Sequence, residues 1–165
     1  MHSQRIFFPN SYYPLSQACM AADQSADAPS DKARPETALL KRAELQTALV
    51  VDDSQTERVH LGHLLKDAGL EVLVAESGNK AKKLAELHEP DVIFLDILME
   101  DGDGYQTCRA LRRNPATAMT PIIMVSSKSN PVDIKWAEKL GASGYIVKPF
   151  AADAVRAKLA ELQQD

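Results

Sequence analysis

Three acids, one hydroxyl and one lysine stand directly behind apolar runs in this chain. Asp52 and Asp53 follow "TALVV" (47–51), Asp96 follows "DVIFL" (91–95), Ser126 follows "PIIMV" (121–125) and Lys148 follows "GYIV" (144–147). If those runs end side by side, Asp52, Asp53 and Asp96 converge, and carboxylates that close repel one another. They stay ionised when a cation sits among them. An all-oxygen site with open positions suits Mg²⁺, which takes few carboxylates and retains waters. Ser126 and Lys148 add a hydroxyl donor and a point positive charge, the groups that hold a phosphoryl oxygen. The chemistry this set supports is phosphoryl transfer, whose transition state needs alignment and charge neutralisation more than covalent assistance. Asp96 is then the acceptor nucleophile, forming an acyl phosphate.

Bringing these residues together requires the apolar runs to be neighbouring strands. A helix-period segment carrying Val59, Leu61, Leu64, Leu65 and Ala68 follows the first run and stops at Gly69. The alternation repeats: "EVLVA" (71–75) leads to "NKAKKLAELHE" (79–89), and the run at 91–95 to a helix near 104–113. The run at 121–125 leads to a helix near 131–140, and that at 144–147 to "AADAVRAKLAELQQ" (151–164). Five continuous apolar strands separated by five helices predict an α/β fold, with a parallel sheet covered on both faces and right-handed crossovers. This is the doubly wound, flavodoxin-like plan with strand order 2-1-3-4-5. Its ligands collect beyond the carboxyl ends of the strands, where the order reverses. The first and third strands are neighbours in that order, which is what lets Asp52, Asp53 and Asp96 meet.

The 165 residues suit one ordinary domain with some excess, and the excess falls at the start. Residues 21–35, "AADQSADAPSDKARP", have no periodic apolar positions and read as a disordered linker. "ETALLKRAELQ" (36–46) is expected to form a short helix leading into the domain. Phe7, Phe8, Tyr12 and Tyr13 lie in a segment without strand or helix period, read as a loose terminus. The chain therefore divides into an extension, 1–46, and a domain, 47–165. A net charge of −4 without a basic block argues against a nucleic-acid partner. No apolar run approaches the roughly 18 residues of a membrane span, and "MHSQRIFFPNSYYP" lacks the apolar core of a secretory signal, so a cytoplasmic protein without membrane insertion is expected. Cys19 and Cys108 are too few for a disulfide framework or a zinc site. Cys108 is expected in a helix core.

"ALVVDDS", "DVIFLDILMEDGDGY", "PIIMVSS" and "GYIVKPF", in this order and spacing, resemble the receiver domain of two-component response regulators over roughly residues 47–165. The resemblance implies that Asp96 is phosphorylated by a sensor histidine kinase or a relay phosphohistidine. It implies Mg²⁺ on Asp52, Asp53 and Asp96 with the backbone carbonyl of Leu98, and Lys148 on the phosphoryl group. Ser126 is the implied switch hydroxyl and Tyr145 the aromatic that turns inward on activation. A cis bond before Pro149 is usual in the family. Output is expected through a protein contact at the face of the fourth helix, fifth strand and fifth helix. Within the family, "SSKSNPVDIKWAEKLGASGYIVKPF" is similar to stand-alone receivers of type IV pilus and twitching-motility systems in the chemotaxis-like branch. Trp136 carries much of that likeness, and its spacing from Val132 and Leu140 fits plain helix packing as well as a partner contact.

Some positions depart from the family pattern. Glu100 stands where most receivers have proline, which predicts a looser loop after Asp96 and altered cation affinity. Ser126 replaces the commoner threonine, and Ser127 a small apolar residue. Elsewhere, His60, His63 and Asp67 read as a solvated helix face rather than metal ligands. "EDGDG" (100–104) lacks the remaining ligands of a Ca²⁺ loop. Lys82, Lys83, Arg112 and Arg113 read as exposed helix charges. A haloacid-dehalogenase-type phosphatase would need a second aspartate where Leu98 stands. A flavin carrier would find Asp52 and Asp53 repelling its phosphate. A receiver-shaped scaffold that binds partners without being phosphorylated is the remaining alternative.

Overall fold

The computed structural model describes residues 44–100 and 104–164. The expectations placed on the first 43 residues, Cys19 and the four early aromatics among them, lie outside the described residues. Residues 44–46 carry no regular structure. Leu45 packs against the core cluster that contains Ala48, Val50 and Leu61.

Strands and helices alternate as β1 (Thr47–Val51), α1 (Gln55–Asp67), β2 (Glu71–Ala75), α2 (Gly78–His88), β3 (Val92–Asp96), α3 (Gly104–Arg113), β4 (Ile122–Ser126), α4 (Pro131–Lys139), β5 (Gly144–Val147) and α5 (Ala152–Gln164). The sheet is parallel with order β2-β1-β3-β4-β5. Successive strand side chains point to opposite faces, so each central strand feeds two cores. Leu49, Val51, Ile93, Leu95, Ile122 and Met124 meet Ala81 and Ala85 of α2, Cys108 and Leu111 of α3 and Ala137 of α4. Ala48, Val50, Phe94, Ile123 and Val125 meet Leu61 and Leu65 of α1 and Val155 and Leu159 of α5. This double demand is why the strands read as unbroken apolar runs.

β3 and β4 sit one residue later than the apolar runs suggest. Asp96 pairs with Val125 and Ser126 with Val147, so both polar residues are the last rungs of the ladder rather than the first loop residues. Asp91, expected to open β3, instead turns its carboxylate onto the start of β1. Its Oδ2 accepts from the Gln46 N–H (2.9 Å), the Thr47 N–H (2.8 Å) and the Thr47 hydroxyl (2.9 Å). Burial pushes the Asp91 carboxyl up, but these donors outweigh it and hold its pKa below the ordinary value.

Arg112 corrects an expectation. It is not a solvated helix charge: its Nε donates to Gly141 O (2.8 Å) and its Nη1 to Ala118 O (2.9 Å) and Thr120 O (2.6 Å). One guanidinium thus ties the α3–β4 loop to the turn after α4, where Gly141 takes φ +94°. Arg113 is exposed, as expected. Arg112→Ala is expected to cost about 2 kcal/mol in denaturant unfolding, because three backbone carbonyls lose a charged donor. Arg112→Lys should recover less than half of that, since an ammonium cannot reproduce the fork.

Candidate functional site

The carboxyl ends of β1 and β3, neighbours in the sheet, lie at the point where strand order reverses. There Asp52, Asp53 and Asp96 each present a carboxylate oxygen, all within 4.8 Å of one another. Asp52 and Asp96 are buried and Asp53 is exposed. Among the described residues this is the group of side chains able to hold a metal ion.

Local chain geometry sets each carboxylate. Asp52 N–H continues the ladder to Ala75 O (3.1 Å), and Asp52 Oδ1 then accepts from the Ser54 N–H (2.8 Å). Ser54 also caps α1, accepting from the Glu57 N–H. Asp96 Oδ1 accepts from the Leu98 N–H (3.1 Å). The Leu98 side chain is exposed. Asp53 Oδ2 accepts from the Glu100 N–H (2.9 Å). A proline at position 100 could not supply that donor. Glu100 thus gives the loop one tether onto an acid of the cluster, and Asp101, Gly102 and Asp103 lie outside the described residues.

Lys148 Nζ lies 2.7 Å from Asp52 Oδ2 and 3.4 Å from Asp96 Oδ2. Burial alone would favour loss of the Lys148 proton, but the Asp52 hydrogen bond and the Asp96 and Asp52 charges outweigh it, and its pKa is raised. Burial is also the largest influence on Asp96, which it pushes up; Lys148 and the Leu98 N–H pull down, Asp52 pushes up again, and the net direction is upward. The acids are thus only partly neutralised by protein groups. A hard, all-oxygen donor set with surplus negative charge fits Mg²⁺.

Ser126 is fully buried at the end of β4, and its Oγ accepts from the Lys128 N–H (3.3 Å). Tyr145, half-buried on β5, donates its hydroxyl to Lys128 O (2.8 Å). Burial pushes the Tyr145 phenol up, the Ser126 hydroxyl pulls it down, and the net direction is up. Lys128 therefore joins the two residues through the two sides of its backbone. Its Nζ lies 3.7 Å from Asp133 of α4 and 5.8 Å from the Tyr105 ring centroid. The Lys148–Pro149 bond is cis.

His60 is exposed, its ring 5.7 Å from that of Phe150. His63 and Asp67 are exposed too, as a solvated face requires. Cys108 is buried in α3 with its Sγ toward Leu140 O. Two residues that shape the site escaped the sequence reading. Arg58 donates to the backbone carbonyls of Asp52 and Asp53. Gly104 packs so tightly that a Cβ there would stand 2.1 Å from Asp96 O and 2.7 Å from Ile97 Cα. Gly104→Ala must push α3 off β3, and is expected to cost about 2 kcal/mol of stability, read from thermal or denaturant unfolding.

The sequence model of the response regulator receiver domain matches residues 48–160. The chain belongs to the receiver family. Among curated relatives, protein PilG of Pseudomonas aeruginosa is 42% identical over 106 residues, which is 64% of this chain and 78% of PilG. Protein PilH of the same organism is 39% identical over 101 residues, or 61% of this chain and 84% of PilH. Among solved structures, chemotaxis protein CheY4 of Vibrio cholerae superposes with a TM-score of 0.68 at 32% identity, covering 72% of this chain and 98% of CheY4. Receiver domains are signalling phosphoacceptors of two-component systems rather than classical enzymes. Receivers bind Mg²⁺ at their acidic pocket and interact with histidine kinases and downstream targets. No helix among the described residues is long and apolar enough to cross a membrane.

Proposed function

We propose that residues 47–165 form a receiver that takes a phosphoryl group onto Asp96 from the phosphohistidine of a sensor kinase or relay domain, with residues 1–46 as an extension. The observation that carries this reading is the gathering of Asp52, Asp53 and Asp96 within 4.8 Å, with the Lys148 ammonium against two of them. Asp52, Asp53, Asp96 and the backbone carbonyl of Leu98 would hold Mg²⁺. When bound, Mg²⁺ supplies charge neutralisation for the transferring phosphoryl oxygens. An Asp96 carboxylate oxygen forms the new O–P bond as the P–N bond to the donor imidazole breaks, and the electron pair leaves on that nitrogen, which takes up a proton. Lys148, already oriented by Asp52, stabilises the charge on the phosphoryl oxygens.

Ser126 and Tyr145 then read the product. A new anion on Asp96 draws the Ser126 hydroxyl toward itself and away from the Lys128 N–H, and Tyr145 follows into the vacated space. Through Lys128 and Asp133 this biases the position of α4, shifting a pre-existing equilibrium. Val132, Trp136 and Val147 are exposed on α4 and β5, which supports protein contact at the α4–β5–α5 face as the output. Likeness to PilG, PilH and CheY4 supports a cytoplasmic role in a chemotaxis-like or pilus-motility pathway.

Acetyl phosphate with Mg²⁺ is expected to label the chain at one acid-labile site, and excess chelator to cut the rate by at least about a hundredfold, which corresponds to about 2.7 kcal/mol of lost charge stabilisation. Equal labelling in chelator would remove the metal from the account.

A further inference from the structure

Arg58 lies on the second turn of α1, half-buried, with its guanidinium turned back to the end of β1. Its Nη1 donates to Asp52 O and, at 3.0 Å, to Asp53 O. The Asp53–Ser54 peptide is planar and trans, so its C=O and N–H point to opposite sides. Arg58 holds the C=O, while the N–H on the other side donates to Asp52 Oδ1 at 2.8 Å. One peptide unit is therefore gripped at both ends, and the grip runs from a guanidinium to a carboxylate of the acidic cluster. The same contact fixes the backbone from which Asp53 projects, and the Asp53 side chain is otherwise held by the Glu100 N–H at 2.9 Å.

We propose that Arg58 is the positioning residue of the acidic pair: by holding the Asp52 and Asp53 carbonyls it keeps the two carboxylates converged for a divalent cation. The proposal rests on the reading that Asp52, Asp53 and Asp96 bind that cation, and it deepens it. The need is physical. Mutually repelling carboxylates at a strand-to-helix turn push the turn open, and a rotation of the 53–54 peptide would withdraw the N–H from Asp52 and swing Asp53 outward. A guanidinium on a helix locked by its own cap resists that rotation, and its charge-assisted bonds are the stronger kind. Arg58 holds the backbone of the acidic pair and not its carboxylate oxygens, so it acts through Asp52 and Asp53 rather than on the cation or the reacting atoms.

The test uses the full chain and three forms: parent, Arg58→Ala and Arg58→Lys. Mg²⁺ affinity is read from amide chemical shifts, and hydrogen exchange of the Ser54 amide is read in metal-free protein. Arg58→Ala should weaken Mg²⁺ binding about tenfold, the usual loss on removing a partner that orients a metal ligand, and should speed Ser54 exchange. Arg58→Lys, able to reach the carbonyls with one ammonium, should fall between. At saturating Mg²⁺ the alanine variant should regain an acetyl phosphate labelling rate within about twofold of the parent, since positioning is lost and not chemistry. A merely structural arginine would lower the melting point without a Mg²⁺-rescuable defect. Parent-like Mg²⁺ affinity and Ser54 exchange in both variants would overturn the proposal, as would a parent that binds no divalent ion. Should the alanine variant fail to fold, the lysine variant decides alone. A parent that binds Mg²⁺ but takes no phosphoryl group would refute the function of Asp96 and leave Arg58 to be judged by affinity and exchange.

Discussion

Asp96→Asn is expected to abolish labelling by acetyl phosphate, a loss of at least about a thousandfold as befits removal of a nucleophile. The domain should stay folded and, in metal-free buffer, become more stable. The two effects share one cause. Asp96 is buried at the end of a strand, where burial and then Asp52 press against its charge more than Lys148 and the Leu98 N–H relieve it, so its pKa is raised. A carboxyl with a raised folded pKa opposes folding while ionised, and that opposition fades as pH falls through the raised value. Asparagine keeps the shape and drops the charge. A gain of about 1 kcal/mol would raise the melting midpoint by roughly 3–5 °C at neutral pH, and the gap to the parent should close on acidification. An equal or lower midpoint in metal-free buffer would mean that Lys148 already compensates the charge.

Lys148→Met is expected to act on metal and chemistry in opposite directions. The ammonium stands 2.7 Å from Asp52 Oδ2 and 3.4 Å from Asp96 Oδ2, so it occupies charge that a cation would use. Its removal should tighten Mg²⁺ binding about fivefold, by the loss of a like charge at short range. Phosphorylation at saturating Mg²⁺ should nevertheless slow about a hundredfold, the usual loss when one preorganised donor to a developing anion is removed. Methionine preserves most of the stem, which limits the packing loss. A variant that gains Mg²⁺ affinity and keeps its rate would show that Lys148 only balances charge in the resting site.

Much of the fold was legible because the parallel sheet forces it to be. Strands buried on both faces must be apolar throughout, so Asp52, Asp53, Asp96, Ser126 and Lys148 stood out where each run ended. The strand ends themselves were read one residue short at β3 and β4, because a polar residue that closes a ladder looks the same in sequence as one that opens a loop. Asp91 was misread for a related reason: its carboxylate serves the backbone of another strand 44 residues away in sequence. Arg58 and Arg112 share the deeper difficulty. Each acts by donating to backbone carbonyls, which carry no residue identity, so no pattern of side chains marks the partner. Gly104 is required by the approach of α3 to the Asp96 backbone, a distance that exists only after folding. Glu100 shows the same limit from the other direction, since the gain of an N–H matters only where Asp53 comes within reach.

The most direct test of the central claim is chemical mapping of the modified residue. After incubation with acetyl phosphate and Mg²⁺, borohydride reduces an aspartyl phosphate to homoserine, which peptide mass spectrometry locates. Homoserine at position 96 alone, absent when chelator is present, is the predicted result. A phosphoryl group found on Ser126, a histidine or another acid, with Asp96 untouched in the presence of Mg²⁺, would contradict the account.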